Sequence, residues 1–184
     1  EPTSRDLDQA LFIERTDDGW TVWYAIADAA WFVRPGSALY RESLVRGATY
    51  YLPGLVIRML PKELSEGLVS LNPNVDRRAM VFRMVVGDDG ELRESEILRA
   101  RIHCQAKLDY GGVQAFLDGL AKPPMPTDQG IASLELLRDF GLARMRRAHQ
   151  RGVISYRRTE VDAGIEGTRF VAVGGCRYNT ERYN

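Results

Sequence analysis

Two Asp-Asp-Gly steps constrain this chain more than anything else in it. Asp17-Asp18-Gly19 separates the run Ala10 to Arg15 from the aromatic and branched stretch Trp20 to Ile26. Asp88-Asp89-Gly90 separates Ala79 to Val86 from Leu92 to His103 in the same way. An Asp-Gly step supplies the left-handed backbone of a tight turn, and β-rich segments on either side make each site a hairpin. Two such hairpins predict an antiparallel sheet or barrel.

Helices are marked by their ends. Ser37 is an N-cap and Gly47 a C′ residue, so Ser37 to Arg46 reads as a short helix with Leu44 and Val45 on its apolar stripe. Glu63 to Gly67 reads as one helical turn, and Asp109 caps a helix running to about Leu120. The longest helix runs from an N-cap at Thr127 to Arg151, with Gly152 behind it. Ile131, Leu134, Leu137, Gly141, Met145 and Ala148 recur at helical steps and predict its buried face. Short strands are predicted at Ala48 to Leu52, Val56 to Leu60, Val153 to Arg157 and Thr168 to Val173. Lys122-Pro123-Pro124-Met125-Pro126 is a stiff internal connection. The fold class is therefore α+β.

The 184 residues suffice for one substantial core. Lysine plus arginine equals aspartate plus glutamate, 25 each, so whole-chain charge points to no polyanionic partner. Charge is nevertheless segregated. Acids crowd the first eighteen residues, and arginines crowd Arg138 to Arg158. Cys104 and Cys176 match neither a metal-ligand spacing nor a dense disulfide framework, and are expected to be reduced thiols of a cytoplasmic protein. No segment reaches a membrane-spanning apolar length. The chain starts at Glu1 and stops at Asn184 in mid-pattern, which reads as a piece of something longer.

The chemistry-bearing stretch is Ser4-Arg5-Asp6-Leu7-Asp8-Gln9, followed at once by Ala10-Leu11-Phe12-Ile13. In extended backbone Asp6 and Asp8 project to one face and can share a hard cation at the mouth of a buried strand. Alone, the pair more often describes two solvated acids in a turn than a metal site. Asp28, at a strand end, is a third carboxylate, read as the cap of a neighbouring turn.

Several blocks together resemble the catalytic (RNB) domain of the ribonuclease II and ribonuclease R exoribonucleases. They are Ser4 to Leu11, Ala25-Ile26-Ala27-Asp28, Tyr51-Leu52-Pro53-Gly54, Met59-Leu60-Pro61, Leu64 to Pro73, and Ala106-Lys107-Leu108-Asp109-Tyr110. The resemblance implies a mixed α/β domain built on a β-barrel-like antiparallel sheet with surrounding helices, of which residues 1–184 form about the N-terminal half. It implies processive 3′-to-5′ hydrolysis of single-stranded RNA to nucleoside 5′-monophosphates, with Mg2+ or, in its place, Mn2+. Oligonucleotide-binding barrels are expected to flank the domain in the parent protein.

By the same resemblance Asp6 binds metal, and Asp8 binds metal and orients the attacking water. The first of the family motif's four aspartates falls before Glu1. The fourth falls on Gln9, which can offer a carbonyl oxygen to the metal but no charge. Tyr51 corresponds to a tyrosine that stacks on a base near the RNA 3′ end, Tyr156 to an aromatic completing that clamp, and Tyr110 to a tyrosine lining the catalytic cavity. Glu181 corresponds to an acid that contacts the terminal ribose. Arg157 and Arg158 are phosphate contacts or surface charges. Without the blocks, each tyrosine reads as a half-buried strand residue whose hydroxyl finds a partner. Gln9 also motivates an alternative, a family member that binds RNA without cutting it.

Overall fold

The computed structural model describes residues 4–154, 161–174 and 178–183. Both Asp-Asp-Gly steps are hairpin turns. Strands β1 (Gln9–Thr16) and β2 (Gly19–Ala27) flank the first, and β5 (Asp76–Gly87) and β6 (Leu92–His103) the second. Helix α1 (Ala38–Arg46) and the small hairpin β3 (Tyr50–Leu52) and β4 (Leu55–Ile57) lie between them. After β6 come α2 (Tyr110–Leu117), α3 (Asp128–Gln150), β7 (Val161–Glu166), β8 (Arg169–Gly174) and α4 (Asn179–Tyr183).

The main sheet has the order β1-β2-β5-β6, antiparallel throughout. It is open, with β1 and β6 as its edges, so the α+β class holds but the barrel does not close among the described residues. Closure needs β1 and β6 to pair, and the edge of β1 is instead covered by α3: the Ile13 amide donates to Ser133 Oγ at 2.8 Å. Where the first turn returns, Gly19 lies against β5. A Cβ there would sit 2.0 Å from the Val86 carbonyl oxygen, so no larger residue fits.

Two half-cores lie on opposite faces of this sheet. Ile13 and Val22 are cross-strand partners on one face, and with Trp20, Val86, Leu137 and Ala143 they form the cluster under α3. Ala25, Ala79 and Val81 alternate onto the other face, where Leu71 closes over them and Leu7, Trp23 and Leu98 pack alongside. Each fully buried large apolar side chain contributes about 1.5–3 kcal/mol, so both half-cores are substantial.

The predicted caps are real. Ser37 Oγ accepts from Tyr40 N, Thr127 Oγ1 from Gly130 N, and an Asp109 carboxylate oxygen from Gly112 N. Other expectations are corrected. The second hairpin's first strand begins at Asp76, three residues before Ala79, because Asp76, Arg77 and Arg78 pair with His103, Ile102 and Arg101. Helix α2 ends at Leu117 rather than Leu120, with Gly119 at φ 74° behind it. The buried face of α3 includes Leu134, Leu137 and Gly141 but adds the small residues Gly130, Ser133 and Ala143, while Ile131, Met145 and Ala148 are only half-buried.

No strand begins at Val153 or Ile154, and the rest of the predicted strand to Arg157 lies outside the described residues. The partner of β8 is Val161–Glu166, joined to it through Gly167 at φ 61°. Asp28 stands at the N-cap position of a short 3-10 turn, Ala29–Trp31, but its side chain caps nothing. It is buried, and its carboxylate lies 3.3 Å from Arg99 Nε of β6. Cys104 is a free thiol, pushed up in pKa by burial, and Cys176 lies outside the described residues.

Candidate nucleic-acid and metal site

The segment Ser4 to Asp8 has no regular secondary structure, yet its backbone is held on both sides. The amide of Leu7 donates to Ser70 Oγ at 2.9 Å, and Ser70 Oγ donates to the carbonyl of Arg5 at 2.8 Å. The carbonyl of Leu7 accepts from Leu71 N at 2.7 Å, and that of Asp8 from Ala27 N at 2.9 Å. Lys107 Nζ donates to the carbonyl of Ser4. Ser70 is itself fully buried, so this clamp works away from water, where unpaired groups are costly.

Leu7 packs into the half-core beneath Ala25 and Leu71, while Asp6 and Asp8, one residue to either side, are exposed. The structure thus brings the two carboxylates out of one anchored strip. They offer hard oxygen donors. Among the described residues no group of three or more His, Cys, Asp or Glu side chains could hold an ion. Two carboxylates suit Mg2+, which keeps several waters and takes one or two carboxylates besides substrate phosphates. A closed protein cage of the calcium or zinc kind does not fit these residues.

Gln9 begins β1, and its Oε1 accepts a hydrogen bond from the hydroxyl of Tyr24 on β2. Tyr51, on β3, donates its hydroxyl to Asp6 Oδ2 at 2.5 Å. That bond, then desolvation, pushes the Tyr51 pKa up to about 12, so the phenol stays protonated. Beside them opens a cleft of about 420 Å3, lined by Arg5, Asp6, Tyr51, Arg58, Lys62 and Ser65, among others. Arg58 Nε donates to Glu66 Oε1 at 3.0 Å, and Lys62 Nζ stands 3.8 Å from the other oxygen.

Tyr110 opens α2, half-exposed, three residues beyond the Lys107 that holds Ser4. Its carbonyl accepts from Thr180 Oγ1 at 3.0 Å, which docks α4 and sets Glu181 beside α2. Glu181 Oε1 accepts from Tyr178 N at 3.0 Å and so closes the first turn of α4. Tyr156, Arg157 and Arg158 lie outside the described residues.

The Ser70 clamp and the Lys107 contact were not singled out from the sequence. The signal was there for Ser70, a hydroxyl flanked by Val69 and Leu71, all three buried. A polar residue inside an apolar run must find partners, and these partners are the site's own backbone.

Comparison with known proteins gives the family. Ribonuclease R of Vibrio parahaemolyticus is 39% identical over 158 residues, which are 85% of this chain and 19% of that protein. Ribonuclease R of Escherichia coli is 44% identical over 117 residues, 63% of this chain and 14% of that protein. The chain therefore spans less than a fifth of the length of these relatives. Among solved structures, Mycoplasma genitalium RNase R in complex with ribose-methylated single-stranded RNA shares the fold at a TM-score of 0.92 and 24% identity, over 98% of this chain and 28% of that one. The profile of the RNB domain matches residues 1–173. Since that match takes in the acidic segment, its Ser70 clamp, the main sheet and the long helix, the chain belongs to the RNB domain family.

Proposed function

We propose that this chain is the N-terminal half of the catalytic domain of an exoribonuclease that hydrolyses single-stranded RNA processively from its 3′ end to nucleoside 5′-monophosphates. The observation that carries the reading is the Ser70 clamp, which fixes the backbone on both sides of Asp6 and leaves Asp6 and Asp8 exposed beside it. Family membership supports the substrate class, and the length of the relatives supports further domains, oligonucleotide-binding barrels among them, in the parent protein. A cytoplasmic setting suits Cys104 as a thiol.

In this reading Asp6 and Asp8 hold Mg2+ or Mn2+, with Gln9 contributing a neutral oxygen beside Tyr24. The bound ion supplies neutralisation of charge on the phosphodiester oxygens and a lowered pKa for the attacking water. Asp8 orients that water. Tyr51, Tyr110 and Tyr156 offer rings to bases, and stacking contributes about 1–3 kcal/mol per base without regard to sequence, which suits an enzyme that accepts any RNA. Glu181 receives the terminal ribose, whose 2′-hydroxyl distinguishes RNA from DNA.

The second reading, a member that binds RNA without cutting it, rests on Gln9, where an amide replaces a charged donor. One experiment separates the two. The parent protein, with and without Asp8→Asn, is given a 5′-labelled single-stranded RNA in Mg2+ and in chelator. The proposal expects metal-dependent shortening from the 3′ end that Asp8→Asn abolishes while RNA binding persists. Intact RNA under every condition, with binding retained, rejects it in favour of the second reading.

A further inference from the structure

The hydroxyl of Tyr51 donates to one of the two oxygens through which Asp6 would meet a cation. Its bond to Asp6 Oδ2 at 2.5 Å joins residues forty-five positions apart and ties the small hairpin to the acidic segment. The hairpin has three residues on each side, Tyr50–Leu52 and Leu55–Ile57, paired only to each other in their sheet. None of the six is buried, and Tyr51 itself is 66% exposed. A two-stranded hairpin is marginal by itself, and elements with few buried apolar contacts open at low cost. The cleft of about 420 Å3 beside Asp6 gives the ring room to move.

A cation bound by a carboxylate at the short distances of Mg2+ coordination competes with a hydroxyl for the lone pairs of that carboxylate. Resting on the metal reading above, we propose that Tyr51 is a positioning residue that couples metal occupancy of Asp6 to the small hairpin. With no ion present, its hydroxyl holds β3 and β4 down on Asp6. Ion binding displaces the hydroxyl and frees the ring to face RNA. The ring is thereby withheld from RNA until the acidic pair is loaded. Linkage makes the effect reciprocal: whatever removes the hydroxyl must tighten metal binding.

The test is calorimetric titration of Mn2+ into the parent protein as wild type, Tyr51→Phe, and Asp8→Asn, with amide hydrogen exchange over residues 50–57 followed in the first two. The coupling expects Tyr51→Phe to bind Mn2+ about tenfold more tightly than wild type, the equivalent of one hydrogen bond to a charged group. It expects Mn2+ to speed exchange in the hairpin of the wild type, and to leave the already fast exchange of Tyr51→Phe unchanged. Equal or weaker binding by Tyr51→Phe, with Asp8→Asn still abolishing binding, overturns the coupling and leaves the metal reading standing. No Mn2+ binding by wild type or by Tyr51→Phe overturns both.

Discussion

The buried hydroxyl of Ser70 accepts the amide of Leu7 at 2.9 Å, sixty-three positions away in the chain, and with its own proton it bonds the carbonyl of Arg5. A single side chain therefore fixes the backbone on both sides of Asp6. Ser70→Ala removes both bonds and leaves the Leu7 amide unpaired at a site shut off from water. The expected loss of stability is about 1–3 kcal/mol in urea unfolding. Mn2+ affinity falls with it, because the carboxylates lose their fixed spacing. Unchanged Mn2+ affinity in a destabilised Ser70→Ala protein would show that the clamp serves the fold alone.

Gln9 is bonded to Tyr24 and carries no charge. Placing aspartate there adds a third hard, charged donor next to Asp8, and Gln9→Asp is expected to tighten Mn2+ binding by roughly tenfold. Titration of the two proteins side by side decides it. No gain would mean that a carboxylate at position 9 stays on Tyr24 and does not reach the ion.

Gly141 lets α4 lie directly on α3. A Cβ at this position would meet Tyr183 Cβ at 2.5 Å and Tyr183 Cα at 2.7 Å, a backbone contact that a rotamer change cannot relieve. Gly141→Ala is expected to push α4 away and cost about 1–3 kcal/mol as overpacking. Faster amide exchange confined to residues 178–183 and the facing turn of α3 is the readout. A Gly141→Ala protein with native exchange there would refute the docking.

Asp76 accepts from His103 Nδ1, with its proton on that nitrogen, at 2.9 Å, and lies 3.4 Å from Arg101 Nε. The His103 bond, foremost, holds the Asp76 pKa below its ordinary 3.8. A carboxylate with a depressed folded pKa adds stability above its unfolded value and loses it as pH falls through the folded one. His103→Ala is thus expected to melt below wild type at neutral pH, with the gap closing on acidification below about 4. A gap that persists or widens below about pH 4 would reverse the assignment. The pair is solvent-exposed, so the effect is small and shrinks in salt.

Much of this was readable because it is local. An Asp-Gly turn, a serine or threonine N-cap and a glycine after the last helical turn act over four residues, and Asp18-Gly19, Ser37, Gly47 and Thr127 were found where their chemistry put them. The exposure of Asp6 and Asp8 on either side of a half-buried Leu7 agrees with the extended backbone read for this stretch, an equally local rule. What stayed hidden is what the chain decides at a distance. The pairing of β2 with β5 is set across some fifty residues of intervening chain, and nothing within either strand announces it. The start of β5 at Asp76 was masked by three charged residues, whose pairing with β6 outweighs their poor strand propensity. Gly130, Ser133 and Ala143 are buried because α3 comes close to the sheet, and small residues carry little hydrophobic signal by which to predict it. The Tyr51 bond to Asp6 is the same kind of fact, a meeting of two motif blocks whose order, but not whose contact, could be read.

The two half-cores also bear on how the protein comes apart. A sheet packed on one face at one end and on the other face at the other is two cooperative regions sharing four strands of backbone. Loss of α3 strips the first region and leaves Leu7, Leu71 and Val81 in place. The acidic strip belongs to that second region, joined to the first through β1, which starts at Gln9. Heat or denaturant can therefore melt the helical end while Leu7 and the acidic strip around it stay packed on the second region.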